Sequence, residues 1–204
     1  MTHASKRTIF YKELWFYPKL TNMTCDTHCS TEVSKLKCTL DLGLVADRTG
    51  SIKWRNVPKL KAALQLLVQR FDISADKTHV SYLTFATRSK LRNKFNNATY
   101  HSQGAIVALL SRSIRKLRSP TRLDRAMKAA NEQMLTLKNG LRPGVGKALV
   151  LYTDGKTLPS SKDISGHVAA LKVTPLVVAD KRSLRLLYLY RRLCPPPSPS
   201  PHTL

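Results

Sequence analysis

A chain of 204 residues is long enough for one domain with a substantial core and modest tails, rather than for two full domains. Its 35 Lys and Arg against 12 Asp and Glu give a formal net charge of +23, which predicts attraction to polyanions or acidic surfaces and says nothing of the fold. No apolar run approaches the roughly 20 residues that a membrane span needs, and the N-terminus lacks the apolar region of a secretory signal.

Residues 1–35 read as a tail and linker. Met1 to Leu20 scatters Phe10, Tyr11, Trp15, Phe16 and Tyr17 among Lys and Arg with no steady period, and Leu20 to Lys35 is polar and rich in Thr and Ser. Of the four cysteines, Cys25, Cys29 and Cys38 crowd the segment before the first strand, and Cys194 stands near the other end. An extracellular setting favours a bridge from Cys38 to Cys25 or to Cys29, and a reducing compartment leaves unpaired thiols. Cys25 and Cys29 flank His28 at a metal-like spacing. No second pair of Cys or His follows at zinc-site distance, so zinc is not favoured.

The segment from Leu40 to Ile52 organises the rest. Leu40, Leu42, Leu44, Val45 and Ala46 saturate with apolar residues, as a buried central strand does. Asp47, Thr49 and Ser51 then place a carboxylate and two hydroxyls at every second position, where Gly50 turns the chain. Such oxygen ligands suit a hard divalent cation. The same residues also suit ordinary turn and cap chemistry, so the stretch alone decides nothing.

Val57, Leu60, Leu64, Leu67, Val68 and Phe71 recur at helical spacing, with Pro58 suited to a first turn. His79 to Thr87 alternates as a strand, and Leu91 to Phe95 predicts a shorter strand paired antiparallel with it, the connection being too brief for a crossover. From Ser102 to Leu117, Ile106, Leu110, Ile114 and Leu117 make an apolar face, and Arg112, Arg115, Lys116 and Arg118 a basic one. Ser119-Pro120 stops that helix. Thr121, with Asp124 as a capping box, opens another through Met127, Ala130 and Met134 to Leu137, ended by Asn139-Gly140. Lys147 to Thr153 is an apolar strand ending at Asp154-Gly155, Lys162 to Leu171 a helix, and Thr174 to Ala179 a last strand.

Helices alternating with apolar strands define an α/β fold: a doubly wound, mostly parallel sheet with one antiparallel edge strand and helices on both faces. In such sheets ligands bind off the carboxyl ends of the strands. Asp47 and Asp154 both follow strand C-termini, and Thr121 opens a helix in the loop between them. Asp47, Thr49, Ser51, Thr121 and Asp154 thus supply two carboxylates and three hydroxyls on one sheet edge, an oxygen shell that waters complete for Mg²⁺.

With Asp-x-Thr-x-Ser after the first strand, a lone Thr opening a mid-chain helix and Thr-Asp-Gly after a later strand, Leu36 to about Ala179 resembles a von Willebrand factor type A domain. The resemblance implies a metal-ion-dependent adhesion site. In that family, the hydroxyls matching Thr49 and Ser51 bind the ion directly, the one matching Thr121 binds it directly or through water, and the carboxylates matching Asp47 and Asp154 often act through water. Neutral hydroxyls leave the cation electron-poor, so it accepts a partner's Glu or Asp carboxylate as last ligand. Thr49 stands where the family usually has Ser, and its methyl and stiffer χ1 restrict the geometry. The family also has a sixth strand and a closing helix. Here Ala179 leads only to one Leu/Tyr/Arg segment, Ser183 to Leu193, and a Pro-rich tail over residues 194–204. The expected domain therefore spans residues 36–193, and the last strand is in doubt, which leaves open as an alternative an incomplete copy of the domain with no metal-dependent activity.

Three functions follow as expectations. The first is adhesion, dependent on Mg²⁺ (or Mn²⁺ or Ca²⁺), to an acidic residue of an extracellular matrix or cell-surface protein, and the resemblance implies a secreted protein, an expectation that an N-terminally incomplete sequence would reconcile with the missing signal region. The second is polyanion binding, glycosaminoglycan before nucleic acid, through Arg112, Arg115, Lys116 and Arg118 with Arg122, Arg125 and Lys128. No nucleic-acid motif or stacking pattern accompanies them. The third, an enzyme, is not expected, because His3, His28, His79, His101, His167 and His202 form no nucleophile–base arrangement.

Overall fold

The computed structural model describes residues 39–114, 119–154 and 164–171 and the backbone of 176–179, all within the compact unit Ser34–Leu204. The first strand, β1 (Leu40–Asp47), is followed by helix α1 (Val57–Val68), β2 (Thr78–Phe85) and β3 (Ser89–Asn93). Then come α2 (Gln103–Ser113), α3 (Leu123–Ala129), β4 (Gly146–Tyr152), α4 (Ser165–Ala169) and β5 (Leu176–Ala179). The sheet order is β3-β2-β1-β4-β5, with β2 and β3 antiparallel and every other pair parallel. The chain leaves β1 towards β2 on one side and returns to β4 on the other, so the topological switch lies between β1 and β4.

Both faces of the sheet are covered, which explains the unbroken apolar run of β1. Leu40, Leu42, Leu44 and Ala46, with Val80, Tyr82 and Val150, pack against Leu60, Leu64 and Leu67 of α1 and Ile106 and Leu110 of α2. Val45, Leu83, Phe85, Leu149 and Leu151 pack against Ala126 and Met127 of α3 and against Met134 and Leu171. Every residue of β1 is buried. Gly43 keeps this second face close: a Cβ there would stand 2.7 Å from Leu149 Cδ1 and 2.9 Å from Met134 Sδ.

Beyond shifts of two or three residues at element ends, such as β3 at Ser89–Asn93 instead of Leu91 to Phe95, three differences from the sequence reading concern the helices. Helix α2 starts at Gln103, its amide at Ala105 bonded to the Ser102 hydroxyl, and stops at Ser113 because Ile114 is extended. Arg115 to Arg118 lie outside the described residues. The single helix expected from Thr121 to Leu137 is α3, then a π turn over Ala130–Met134, then a separate 3-10 turn at Leu137–Asn139, closed by Gly140 at φ 85°. Leu135 N bonds to Ala130 O, one residue wider than an α-helix, and this ends the regular spiral. Nor is the capping box formed. Arg122 takes the cap position without a side-chain bond, and Asp124 pairs with Arg122 at 2.7 Å.

At the N-terminal edge, buried Asp41 accepts from Arg142 N at 2.7 Å and Arg142 Nε at 2.8 Å. Arg142 Nη2 also reaches Leu40 O and Lys77 O, so one guanidinium fastens the starts of β1 and β2. The opposite, C-terminal edge carries the other carboxylates and the hydroxyls. Cys25, Cys29, Cys38, Cys194, His28, Ser183 to Leu193 and the Pro-rich tail lie outside the described residues.

Candidate metal centre

The end of β1 turns on its own side chain: Asp47 Oδ1 accepts from Thr49 N at 2.8 Å, and Ile52 N returns to Thr49 O. An Asp at a strand end offers this local bond, which points the next two hydroxyls back over the edge. Gly50 N bonds to Ser119 O at 3.1 Å and draws in the loop before α3, so Thr121 arrives beside Thr49 although 72 residues separate them. Beyond β4, Thr153 Oγ1 donates to Asp47 Oδ2 at 2.9 Å. Asp154, the next residue, accepts from Ser51 Oγ at 3.1 Å.

The structure therefore brings together all five residues expected from the sequence. Thr121 Oγ1 donates to Thr49 Oγ1 at 2.9 Å, Thr49 Oγ1 and Ser51 Oγ are 2.7 Å apart, and Ser51 Oγ and Thr121 Oγ1 are 3.4 Å apart. Asp47, Thr49 and Thr121 are buried, whereas Ser51 and Asp154 are half-buried. Access is from their side, through a shallow pocket lined by Ser51, Ile52, Asn56, Tyr152, Thr153 and Asp154.

Burial pushes the Asp47 carboxyl above its ordinary value, the nearby charge of Asp154 adds to the push, and the bonds from Thr49 and Thr153 oppose it. A buried carboxylate with a second one beside it is the environment a cation relieves. The donors fit a hard ion, since every side-chain donor is oxygen. Among the described residues, no group of three or more His, Cys, Asp or Glu offers an alternative.

Thr153 is the residue the sequence reading left without a role. Its signal was the Thr of Thr-Asp-Gly, whose hydroxyl faces the neighbouring strand's carboxylate.

Of the expected polyanion residues, Arg112, Arg122, Arg125 and Lys128 are among those described. Arg112 donates to Tyr100 Oη at 2.5 Å, Arg122 pairs with Asp124, Arg125 donates to Thr87 O, and Lys128 stands 3.8 Å from Glu132. Arg115, Lys116 and Arg118 lie outside the described residues. His79 and His101 stack with ring centroids 4.0 Å apart, each with its Nε2 on a backbone carbonyl rather than on a nucleophile.

A doubly wound sheet whose C-terminal edge carries clustered hydroxyls and two aspartates defines the class, and the comparisons agree. The von Willebrand factor type A domain model matches residues 41–184, and the chain belongs to that family. It is 25% identical over 155 residues to matrilin-3 of Gallus gallus, which covers 72% of this chain and 34% of matrilin-3. It is 26% identical over 158 residues to the collagen alpha-6(VI) chain of Mus musculus, 78% of this chain and 7% of that one. Proximal thread matrix protein 1 from the mussel byssus shares the fold, with a TM-score of 0.63 at 18% identity over 72% of this chain and 38% of that one. Another structure of the mussel protein has a zinc-occupied MIDAS motif. The chain thus spans less than two fifths of the length of each of these proteins.

Proposed function

We propose that this domain, spanning about residues 36–193, is a divalent-metal-dependent protein-binding module that engages an acidic residue of an extracellular matrix or cell-surface partner. The observation that carries the reading is the convergence of Asp47, Thr49, Ser51, Thr121 and Asp154 on one sheet edge, with Thr49, Ser51 and Thr121 within hydrogen-bond distance of one another. In this reading Thr49, Ser51 and Thr121 hold Mg²⁺, or Mn²⁺ or Ca²⁺, by their hydroxyls, and buried Asp47 and half-buried Asp154 balance its charge. The ion supplies an electron-poor acceptor for one incoming carboxylate. The half-buried side, at Ser51 and Asp154, is where that carboxylate enters.

Membership of a family that includes a matrilin and a collagen VI chain supports the extracellular placement and a binding rather than a catalytic role.

Calorimetric titration with Mn²⁺ tests the centre. The native chain binds one ion. Thr49→Val, which keeps the shape and removes a ligand hydroxyl, and Asp154→Ala both abolish the binding. Equal Mn²⁺ affinity in the native chain and in Asp154→Ala would overturn the reading. Polyanion binding behaves differently: it ignores chelator and falls steeply with salt, because each neutralised anion releases counterions.

A further inference from the structure

We propose that the rim of this centre selects a protein segment with several acidic residues, the carboxylate that enters the centre being flanked on both sides by others; the proposal rests on the metal-dependent reading above. The loop after Ser51 makes Lys53, Trp54 and Arg55 three consecutive exposed residues, the last two on a 3-10 turn over Trp54–Asn56. Asn56 then turns back to line the pocket with Ser51 and Asp154, so the exposed triplet borders one flank of the opening. Trp54 is 68% exposed, the one large exposed aromatic among the described residues, and the Arg55 guanidinium lies 5.2 Å from its ring centroid. The ring is a platform that holds the guanidinium near one orientation before any partner arrives, which reduces the ordering cost of binding.

The other flank is tied to the centre through its backbone. Arg48 N bonds to Phe85 O and Arg122 N to Ala86 O, and the Thr87 hydroxyl and carbonyl meet Pro120 O and Arg125 Nη1. Exposed Arg88 and Arg125 thus belong to the two segments that these bonds tie to the ends of β1 and β2, Arg125 by its own guanidinium. Asp124, the carboxylate that follows Thr121, is already paired with Arg122. Among the described residues, no ion pair joins Lys53, Arg55, Arg88 or Arg125 to a carboxylate. Exposed cations thus stand on the loop that lines the opening and on the segments tied to the far side of the hydroxyl cluster. An acidic partner segment complements both the middle and the flanks. Exposed Trp and Arg beside a pocket are also the residue types that dominate protein interfaces. A sulfated polysaccharide needs the cations alone and leaves the centre unused.

The test uses the full chain with Mn²⁺ and two Gly/Ser peptides, one bearing a single Glu and the other the same Glu flanked on each side by two Asp. The flanked peptide is expected to bind about tenfold tighter at low salt, the size expected of a few exposed ion pairs. Its advantage shrinks as salt rises. Lys53→Gln with Arg55→Gln, or Arg88→Gln, removes most of the flanked peptide's advantage, while chelator-sensitive binding of the single-Glu peptide persists. Trp54→Ala, which takes away the platform, lowers that advantage. Equal affinity for the two peptides, both lost with chelator, would overturn the rim while the metal reading stands. Binding of both peptides that persists with chelator would overturn the metal reading and this proposal with it. Displacement of the flanked peptide by heparin in the presence of chelator would assign the rim to a polysaccharide and overturn the proposal.

Discussion

Thr153 Oγ1 donates to Asp47 Oδ2 at 2.9 Å, so a hydroxyl just beyond the end of β4 holds the carboxylate that ends β1. The other Asp47 oxygen takes the amide of Thr49, so one oxygen is fixed within its own loop and the other across the topological switch. Both partners are buried, and a buried carboxylate that loses a donor is left with its full desolvation cost. Thr153→Val keeps the shape and removes that donor. Urea unfolding of the metal-free variant is expected to show a loss of about 1–3 kcal/mol, and Thr153→Ser a smaller one. Unchanged stability in Thr153→Val would show that the bond holds nothing.

How much of this was legible beforehand depends on the range of the forces involved. The apolar run from Leu40 to Ala46 and the helical spacing from Val57 to Phe71 are local periodicities. They specified a two-faced central strand and its covering helix before any contact was known. The five site residues were legible because strand C-termini in such a sheet share one edge. Thr121 was ambiguous, since the same Thr-x-x-Asp pattern serves a capping box or places a hydroxyl in the cluster with Thr49 and Ser51. The Gly50–Ser119 bond, between segments far apart in sequence, decides for the latter. The π turn at Ala130–Met134 was not legible: the Met134 side chain packs close over Gly43, and that contact belongs to the sheet rather than to the helix. The His79–His101 stack escaped for the same reason, because no local pattern joins a strand residue to a loop 22 positions on.

Gly140 separates backbone strain from crowding. Its φ of 85° is left-handed, and a Cβ there would clash with the backbone nitrogen of Asn96. Gly144 has a φ of 71°, but an added Cβ meets nothing within 4 Å. Gly140→Ala is therefore expected to cost about 1–3 kcal/mol or more, and Gly144→Ala only the backbone share of that. Urea denaturation midpoints for the two variants check the order. A larger loss in Gly144→Ala would contradict it.

His79 gives the fold a dependence on pH. Burial lowers its pKa from the ordinary value, against its bond to Ala75 O, and the charges of Arg142 and His101 act in the same direction as burial while Asp41 opposes. The folded state thus binds the proton less readily than the unfolded chain. Stability from this group is fully present above the unfolded value of about 6.5 and declines as pH falls from there through the lowered folded value. Thermal melts of the native chain are expected to drop between pH 8 and pH 5. In His79→Phe, which retains a stacked ring and cannot take a proton, the drop should be smaller. Equal drops would place the acid sensitivity elsewhere.

Removing the metal separates binding from folding. The core that holds the sheet, Leu42 and Leu44 of β1 with Val80 and Leu83 of β2 and Leu149 and Val150 of β4, is buried between helices and needs no ion to form. At about 25 cal/mol per Å² of apolar burial, such a core outweighs one ion at an accessible edge. An ion that binds only the folded state still adds stability by mass action, and relief of the repulsion between Asp47 and Asp154 is the local reason. A chelated sample is therefore expected to keep its far-ultraviolet circular dichroism, to melt a few degrees lower and to lose carboxylate-peptide binding entirely. Adding Mn²⁺ back should restore the binding and the melting temperature together. Collapse of the circular dichroism on chelation would make the ion a structural one, and the centre would then be a clamp for β1 and β4 rather than an acceptor for a partner's carboxylate.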